Sequence, residues 1–580
     1  MPKPLPIGID DFKEVITGNY FYIDKTLFIQ ELLKSKAKVT LIPRPRRFGK
    51  TLNMTMLKYF FEKSEESHRA LFDDLAIAQD KKCMKHQSRY PVIFLTFKDI
   101  KSKKWEDCYE KLKRAISAEF ERHRYLLQKN ELTNQQQEDF KQIINRNAAQ
   151  ATFENALQDL SFYLQKYHNT KPIIIIDEYD TPIHAGFSYG YYDDVISFMR
   201  GLLCGGLKGN QHLAFAILTG ILRVAKESIF SGINNLKVCS LLSNRHADKF
   251  GFTESEVKQL LASYKFTSKL EDVRSWYNGY RVGQRLKTPT PPSQRGKQKM
   301  TLAPQFLSVY NPWSLLNFVD EGGTFGPYWV NTSDNLVIQQ LLQQASEDVK
   351  KDFELILENK TVQKYISEDI TFSAVFKNTD ALWSFLFFAG YLTFRNRTNL
   401  QITCEATLAA PNQEVLGCLK KLIDQWFTES SGADTYKNML AALAQGNTPA
   451  FERYFQQHVV DNLSYFDVTQ KTPERVYHAY VLGMLVGLSK THEIKSNRES
   501  GLGCYDVYII PHNPTHPGTI IEFKAFNKKE DPNLNAAAQS ALAQIDNMQY
   551  EAELRSRGIK KIIKLAIVFE GKKVFIAVEK

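Results

Sequence analysis

The chain has no Cys-x-x-Cys pair. Its seven cysteines, Cys83, Cys108, Cys204, Cys239, Cys404, Cys418 and Cys504, are scattered and odd in number. That argues against a disulfide framework and against a structural zinc site, and it fits a reducing, cytoplasmic compartment. No apolar run approaches the ~20 residues needed to cross a bilayer, so no membrane role is expected. The first residues, Met1 to Asp10, lack the apolar stretch of a secretory leader. Neither an internal repeat nor a coiled-coil heptad pattern is present, which argues against solenoids and zippers. An acidic excess is also missing. Lys and Arg total 75 against 64 Asp and Glu, a formal charge of +11. Such a balance favours polyanionic partners such as nucleic acid, though a solvated basic surface would give the same count.

What is present is ample for several cores. The 580 residues are 43% hydrophobic and 24% charged, a globular composition for about three to four domains. A buried strand, Val39 to Ile42, runs into a basic turn and then a helix with Leu52, Met56, Leu57 and Phe60 at helical spacing. Residues 20–36 read as one short amphipathic helix. Val92 to Phe97, Ile173 to Ile176 and Leu213 to Thr219 read as further strands, with two or three helices across 105–170. Apolar strands alternating with helices indicate a parallel sheet covered by helices on its faces. Residues 246–450 read as mostly helical, a lid or linker region. Within it, 283–308 is Pro- and Lys/Arg-rich and reads as a mobile basic insertion. The last region, 451–580, reads as a small α/β domain with strands near 491–497, 504–510, 519–525, 561–569 and 573–578.

Two constellations carry chemistry. The first is Gly49-Lys50-Thr51 at a strand-to-helix turn. Backbone N–H groups at a helix start bind phosphate, Lys50 can reach the β- and γ-phosphates, and Thr51 can ligate Mg²⁺. Arg46 and Arg47 add charge to that turn. A full P-loop pattern wants glycine at the position of Arg44, so the glycine is missing here. About 125 residues later the apolar strand Ile173–Ile176 ends in Asp177-Glu178. Asp177 would hold Mg²⁺, and Glu178 would orient or deprotonate the attacking water. Thr219 stands where a γ-phosphate sensor would, and Arg223 is a candidate charge stabiliser. The second constellation lies near the C-terminus. Asp506 sits on one strand, and Glu522 and Lys524 sit two apart on the next, on one face. Two carboxylates, Asp506 and Glu522, suit a hard divalent metal, and a nearby ammonium can bind a scissile phosphate. This is the arrangement of a metal-dependent phosphodiesterase.

These residues resemble a known pairing. Tyr22-Ile23-Asp24-Lys25-Thr26, Arg44-Pro45-Arg46-Arg47-Phe48-Gly49-Lys50-Thr51, Asp177-Glu178-Tyr179-Asp180-Thr181-Pro182 and Leu218-Thr219-Gly220 resemble the AAA-ATPase-like family of P-loop proteins. The similarity continues more loosely through Tyr277-Asn278-Gly279-Tyr280 and Asn311-Pro312-Trp313-Ser314. In that family the loop lacks the first glycine, so Arg44 is a family trait. Residues 470–580 resemble the PD-(D/E)XK nuclease domain that accompanies this ATPase. The resemblance implies that Asp506, Glu522 and Lys524 are its metal-binding and catalytic residues. It also implies that Gln544 and Tyr550 support the site, with Glu474 as an additional helix carboxylate. Cys504 stands where the family often has Arg, which removes one phosphate contact.

The expected architecture is therefore α/β: a P-loop NTPase domain over 1–245, the helical middle, and a restriction-endonuclease-like α/β domain. The expected cofactors are ATP and Mg²⁺, with Mn²⁺ as an alternative at the nuclease site. The expected partners are a nucleotide and nucleic acid, DNA favoured over RNA, and a homo-oligomer is compatible with an AAA-like domain. The resemblance places the chain beside mobile-element and defence functions. A second reading stays open: a nucleotide-controlled switch whose nuclease-like domain binds nucleic acid or protein without cutting.

Overall fold

A computed structural model describes residues 2–128, 131–222, 236–283, 306–329, 347–370, 372–375, 378–399, 404–431, 433–462, 481, 484–488, 491–500, 503–527, 531–547, 551–570 and 573–579. The chain divides into two compact units. One comprises residues 1–331 and 363–415, the other 332–362 and 416–580.

The first unit is built on a five-stranded parallel sheet. Its strands are β1 (Val39–Pro43), β2 (Val92–Thr96), β3 (Ile173–Asp177), β4 (Phe215–Gly220) and β5 (Leu236–Val238), in the spatial order β2-β3-β4-β1-β5. Central parallel strands are covered on both faces, so they read as continuous apolar runs. The four isoleucines of β3 follow that rule, each with 0% exposure, and each contributes about 1.5–3 kcal/mol by burial. The crossover between β2 and β3 holds three α-helices, Trp105–Arg122, Asn134–Ile144 and Gln150–His168. The first of them buries Cys108, Leu112, Ile116 and Phe120, one stripe at four-residue spacing.

The N-terminal segment differs from the sequence expectation of one helix over 20–36. The helix covers only Leu27–Ser35. Asp24 explains the late start, because Oδ1 accepts from the Thr26 N–H and hydroxyl at 2.8 and 2.6 Å, and Oδ2 accepts from the Ala76 N–H at 2.7 Å. Its side chain binds a local turn in place of a helical one.

The middle of the chain is helical and also carries two three-stranded sheets. One is formed by Phe252–Thr253 (β6), Tyr280–Val282 (β7) and Leu307–Tyr310 (β8), in the order β6-β8-β7. The other has the order β10-β11-β9, from Val362–Ile366 (β9), Thr393–Asn399 (β10) and Cys404–Ala409 (β11). Most of the basic insertion at 283–308 lies outside the described residues.

The second unit holds a five-stranded mixed sheet in sequential order. Its strands are β12 (His492–Ser500), β13 (Gly503–Pro511), β14 (Gly518–Ala525), β15 (Ile562–Glu570) and β16 (Lys573–Glu579). Only β14 and β15 run parallel. The helix Leu534–Asn547 makes the crossover between them and covers one face. Its Ala537, Ala538, Ala541, Leu542 and Ile545 pack with Ile520, Ala566 and Val568 in one core cluster. Small alanines let the helix lie close to the sheet. On the other face Phe523 meets Phe569, and Phe569 meets Phe455 of the helix Thr448–Asn462. Alternation along β14 thus sends Ile520 and Glu522 to one side and Ile521 and Phe523 to the other.

Candidate functional site

The C-terminal ends of parallel strands are where an open α/β sheet binds ligands. β1, β4 and β3 stand side by side, and each ends in residues singled out above. β1 runs into the basic loop, and the helix Lys50–Phe61 starts directly after Gly49. Gly49 has φ +77° with open space around its α-carbon, so the backbone conformation alone calls for glycine. Its neighbour Arg47 has φ +65°, and Glu178 at the tip of β3 has φ +52°. Non-glycine residues in that region cost roughly 1–2 kcal/mol each. Such strain persists only where the surroundings enforce it, and it clusters at functional sites.

Asp177 joins the three strand ends. Its Oδ2 accepts from the Thr51 hydroxyl at 2.8 Å, and its Oδ1 accepts from the Thr219 hydroxyl at 2.7 Å. The Glu178 N–H donates to Thr219 Oγ1 at 3.4 Å. Burial and the adjacent Glu178 raise the Asp177 pKa, while the two hydroxyls oppose the rise. Lys50 is buried, with Nζ on the carbonyls of Arg44 and Pro45 at 3.3 and 3.1 Å and 3.9 Å from Glu178 Oε1. Burial pulls its pKa down, opposed by Glu178, Asp177 and Asp180. The field of Glu178 also reaches Arg46, Arg47, Lys98 and Lys101. Asp177, Asp180, Asp10 and Asp99 act on the same cations, so the site interleaves basic and acidic side chains. A hydroxyl and a carboxylate side by side at a helix start are the hard oxygen donors that suit Mg²⁺ on a phosphate ligand.

Arg44 fills the place of the missing glycine and does not face the phosphate side. It is 1% exposed. Its Nη1 donates to the carbonyls of Pro43 and Cys239 at 2.8 and 2.6 Å, and Nη2 to that of His246 at 3.2 Å. The guanidinium lies 5.2 Å from the centroid of the Phe250 ring. Burial pushes its pKa down to about 10. Arg44 is a plug beneath the loop.

In the second unit Glu522 is buried and accepts a hydrogen bond from the Gln544 amide. Lys524, next on the same face, donates to Asp531 Oδ1 at 3.1 Å. Asp531 Oδ2 accepts from the Asn527 N–H at 3.1 Å. That backbone bond and Lys524 lower the Asp531 pKa. The register pairs Val507 with Ile521 across β13 and β14. Asp506 and Glu522 are the next positions along, at the same end of the strand pair. The side chain of Asp506 lies outside the described residues.

Residues 6–230 match the family described as predicted AAA-ATPase, and residues 472–579 match the PD-(D/E)XK nuclease superfamily. The chain joins an AAA-ATPase-like domain to a PD-(D/E)XK nuclease superfamily domain. It is also 26% identical over 424 residues to an uncharacterized protein in the vnfD 5′ region of Azotobacter chroococcum mcd 1, covering 73% of this chain and 70% of that one.

The ATPase-like domain thus gathers Arg46, Gly49, Lys50, Thr51, Asp177, Glu178 and Thr219 around one strand edge. Arg47 is exposed and turned onto Trp313, with its guanidinium 3.9 Å from the indole centroid. Arg223 lies outside the described residues, as do Glu474 and Tyr550. In the nuclease domain Glu522, Lys524 and Gln544 share one neighbourhood. Sequence reasoning missed Asp531, whose only signal was an acid a short way beyond the Glu-x-Lys strand. It also passed over Asp180. That buried carboxylate accepts from the Ile221 and Leu222 N–H groups at 2.8 and 2.9 Å and so fixes the turn after Thr219. Burial raises its pKa, but His184 and these amides outweigh that and lower it. Tyr179 adds a hydroxyl bond to the Leu222 carbonyl at 2.7 Å.

Proposed function

We propose that the N-terminal domain binds and hydrolyses ATP and that the C-terminal domain is a metal-dependent phosphodiesterase on nucleic acid, DNA rather than RNA. The observation that supports the first half most is Asp177 bridging Thr51 and Thr219. The hydroxyl pair orients the carboxylate, and Lys50 waits on loop carbonyls that it can exchange for phosphate oxygens. Glu178, beside Lys50 and next to Asp177, orients or accepts a proton from the attacking water. Mg²⁺, when bound by Thr51 and Asp177, would neutralise phosphate charge.

In the nuclease domain Asp506 and Glu522 would hold Mg²⁺ or Mn²⁺, which would supply a nucleophilic hydroxide at neutral pH. Gln544 fixes the Glu522 carboxylate, and Lys524 neutralises the scissile phosphate. ATP at the first site gates or positions the second. One observation favours the binding-switch reading: Lys524 is already engaged by Asp531, which neutralises its charge. The test is cleavage against binding. In Lys524→Ala the enzyme reading expects lost cleavage of labelled DNA with binding retained. Wild type that binds DNA and never cuts it, with Mg²⁺ or Mn²⁺, would favour the switch.

A further inference from the structure

The basic loop is held from outside the P-loop core. The Arg46 carbonyl accepts from Asn311 Nδ2 and from Trp329 Nε1, both at 3.4 Å. Arg47 lies over Trp313. Phe48 is buried edge-on to Tyr280 at 4.9 Å, and its carbonyl accepts from the Gly251 N–H at 3.3 Å. Pro45 packs against Gly390, where a side chain would sit 2.8 Å from the proline ring. Four consecutive loop residues are therefore gripped by segments far along the chain. The grip is itself cross-linked. Glu414 is 0% exposed and accepts from the Ser314 hydroxyl at 3.0 and 2.8 Å and from the Trp329 N–H at 2.7 Å. It thereby ties the helix that begins Asn311-Pro312-Trp313-Ser314 to the segment carrying Trp329.

None of these residues belongs to the phosphate-binding turn, and the contacts of Asn311, Trp313 and Trp329 fall on its two arginines. We propose that Asn311, Trp313 and Trp329 form a clamp that positions Arg46 and Arg47 for the phosphates of a bound nucleoside triphosphate. The clamp rests on the nucleotide-site reading above. Trp313 offers an aromatic face that holds a guanidinium without neutralising it. The ring adds no countercharge of its own, while Glu178 and Asp10 act on Arg47 electrostatically. The two hydrogen bonds to the Arg46 carbonyl fix the backbone from which both arginines project, and hold Arg47 in its left-handed conformation. They are positioning residues: they act through Arg46 and Arg47 and do not touch the ligand.

The test uses full-length protein, Mg·ATP as the probe, and steady-state hydrolysis with calorimetric binding. Trp313→Ala removes the ring. Trp313→Phe restores a smaller aromatic face. Asn311→Asp keeps the helix cap, since Asp caps as well as Asn, but replaces the donor to Arg46. Trp313→Ala and Asn311→Asp are expected to raise KM and Kd for Mg·ATP by about 3- to 10-fold, the scale of one cation–π contact. Thermal unfolding without ligand should stay within a few degrees for Asn311→Asp, and Trp313→Phe should recover most of the affinity. Lys50→Ala is the control for the site itself. If Lys50→Ala abolishes binding while Asn311→Asp and both Trp313 variants bind like wild type, the clamp is overturned and the nucleotide site stands. If Lys50→Ala binds like wild type, the nucleotide-site reading falls and the clamp with it.

Discussion

Restoring the P-loop glycine should damage this protein. Arg44→Gly converts the loop to the full glycine-lysine pattern, and sequence comparison alone would expect better nucleotide binding. The structure argues the reverse. Three carbonyls, of Pro43, Cys239 and His246, lose their donor, and each buried unsatisfied acceptor costs about 1–3 kcal/mol. The departed side chain also leaves a void beside Phe250, and large-to-small core changes cost roughly 2–5 kcal/mol. One effect runs the other way. Among the described residues no carboxylate lies against the buried guanidinium, and its pKa is lowered to about 10, so its removal relieves roughly 3 kcal/mol of charge burial. The loss wins, by roughly 2 kcal/mol at the least and up to about 11. Chemical denaturation followed by tryptophan fluorescence reads this directly, because Trp313 and Trp329 lie against the same loop. Calorimetry with Mg·ATP reads the site. A variant as stable as wild type, or one that binds ATP more tightly, would refute the plug.

Glu414 predicts a pH dependence. Burial raises its pKa from 4.5 to about 7, against the bonds from Trp329 and Ser314. A raised carboxyl contributes stability that is full below its unfolded value and is lost as pH rises through the folded one. Between about pH 4.5 and 7 wild type should therefore lose on the order of 3 kcal/mol from this group, and Glu414→Gln should flatten that slope in denaturation at stepped pH. At the ATP site, Thr219→Val removes one of the two hydroxyls on Asp177. Hydrolysis should fall by about 10-fold or more, with ATP affinity changed less. Equal hydrolysis by that variant would separate Thr219 from catalysis. In the nuclease domain, Lys524→Ala should lower cleavage by about 100-fold or more while DNA binding in a gel-shift assay survives.

The sequence made the strand-to-helix turns readable. Gly49-Lys50-Thr51 and Asp177-Glu178 each depend on short-range order, an apolar strand followed at once by a polar tip, and the parallel sheet brings those tips together. The Glu-x-Lys strand was legible for the same reason, because alternation alone puts Glu522 and Lys524 on one face. Arg44 was not legible as a plug. Its partners, Cys239 and His246, stand about 200 residues away, and backbone carbonyls leave no mark in side-chain patterns. The short helix after Asp24 was misread because apolar periodicity ignores a side chain that caps a turn. Asn311, Trp313 and Glu414 were visible only as motif letters or not at all. Their roles arise from packing between segments that no spacing rule connects.

The central claim is that a nucleotide site and a nuclease site in one chain act together. Its most direct test is cleavage of labelled single- and double-stranded DNA and RNA by wild type, Asp506→Ala and Lys50→Ala, with Mg²⁺ or Mn²⁺, with and without ATP. The account predicts metal-dependent cutting that vanishes in Asp506→Ala and that responds to ATP in wild type but not in Lys50→Ala. Cutting that persists in Asp506→Ala, or that ignores ATP in wild type, would contradict it.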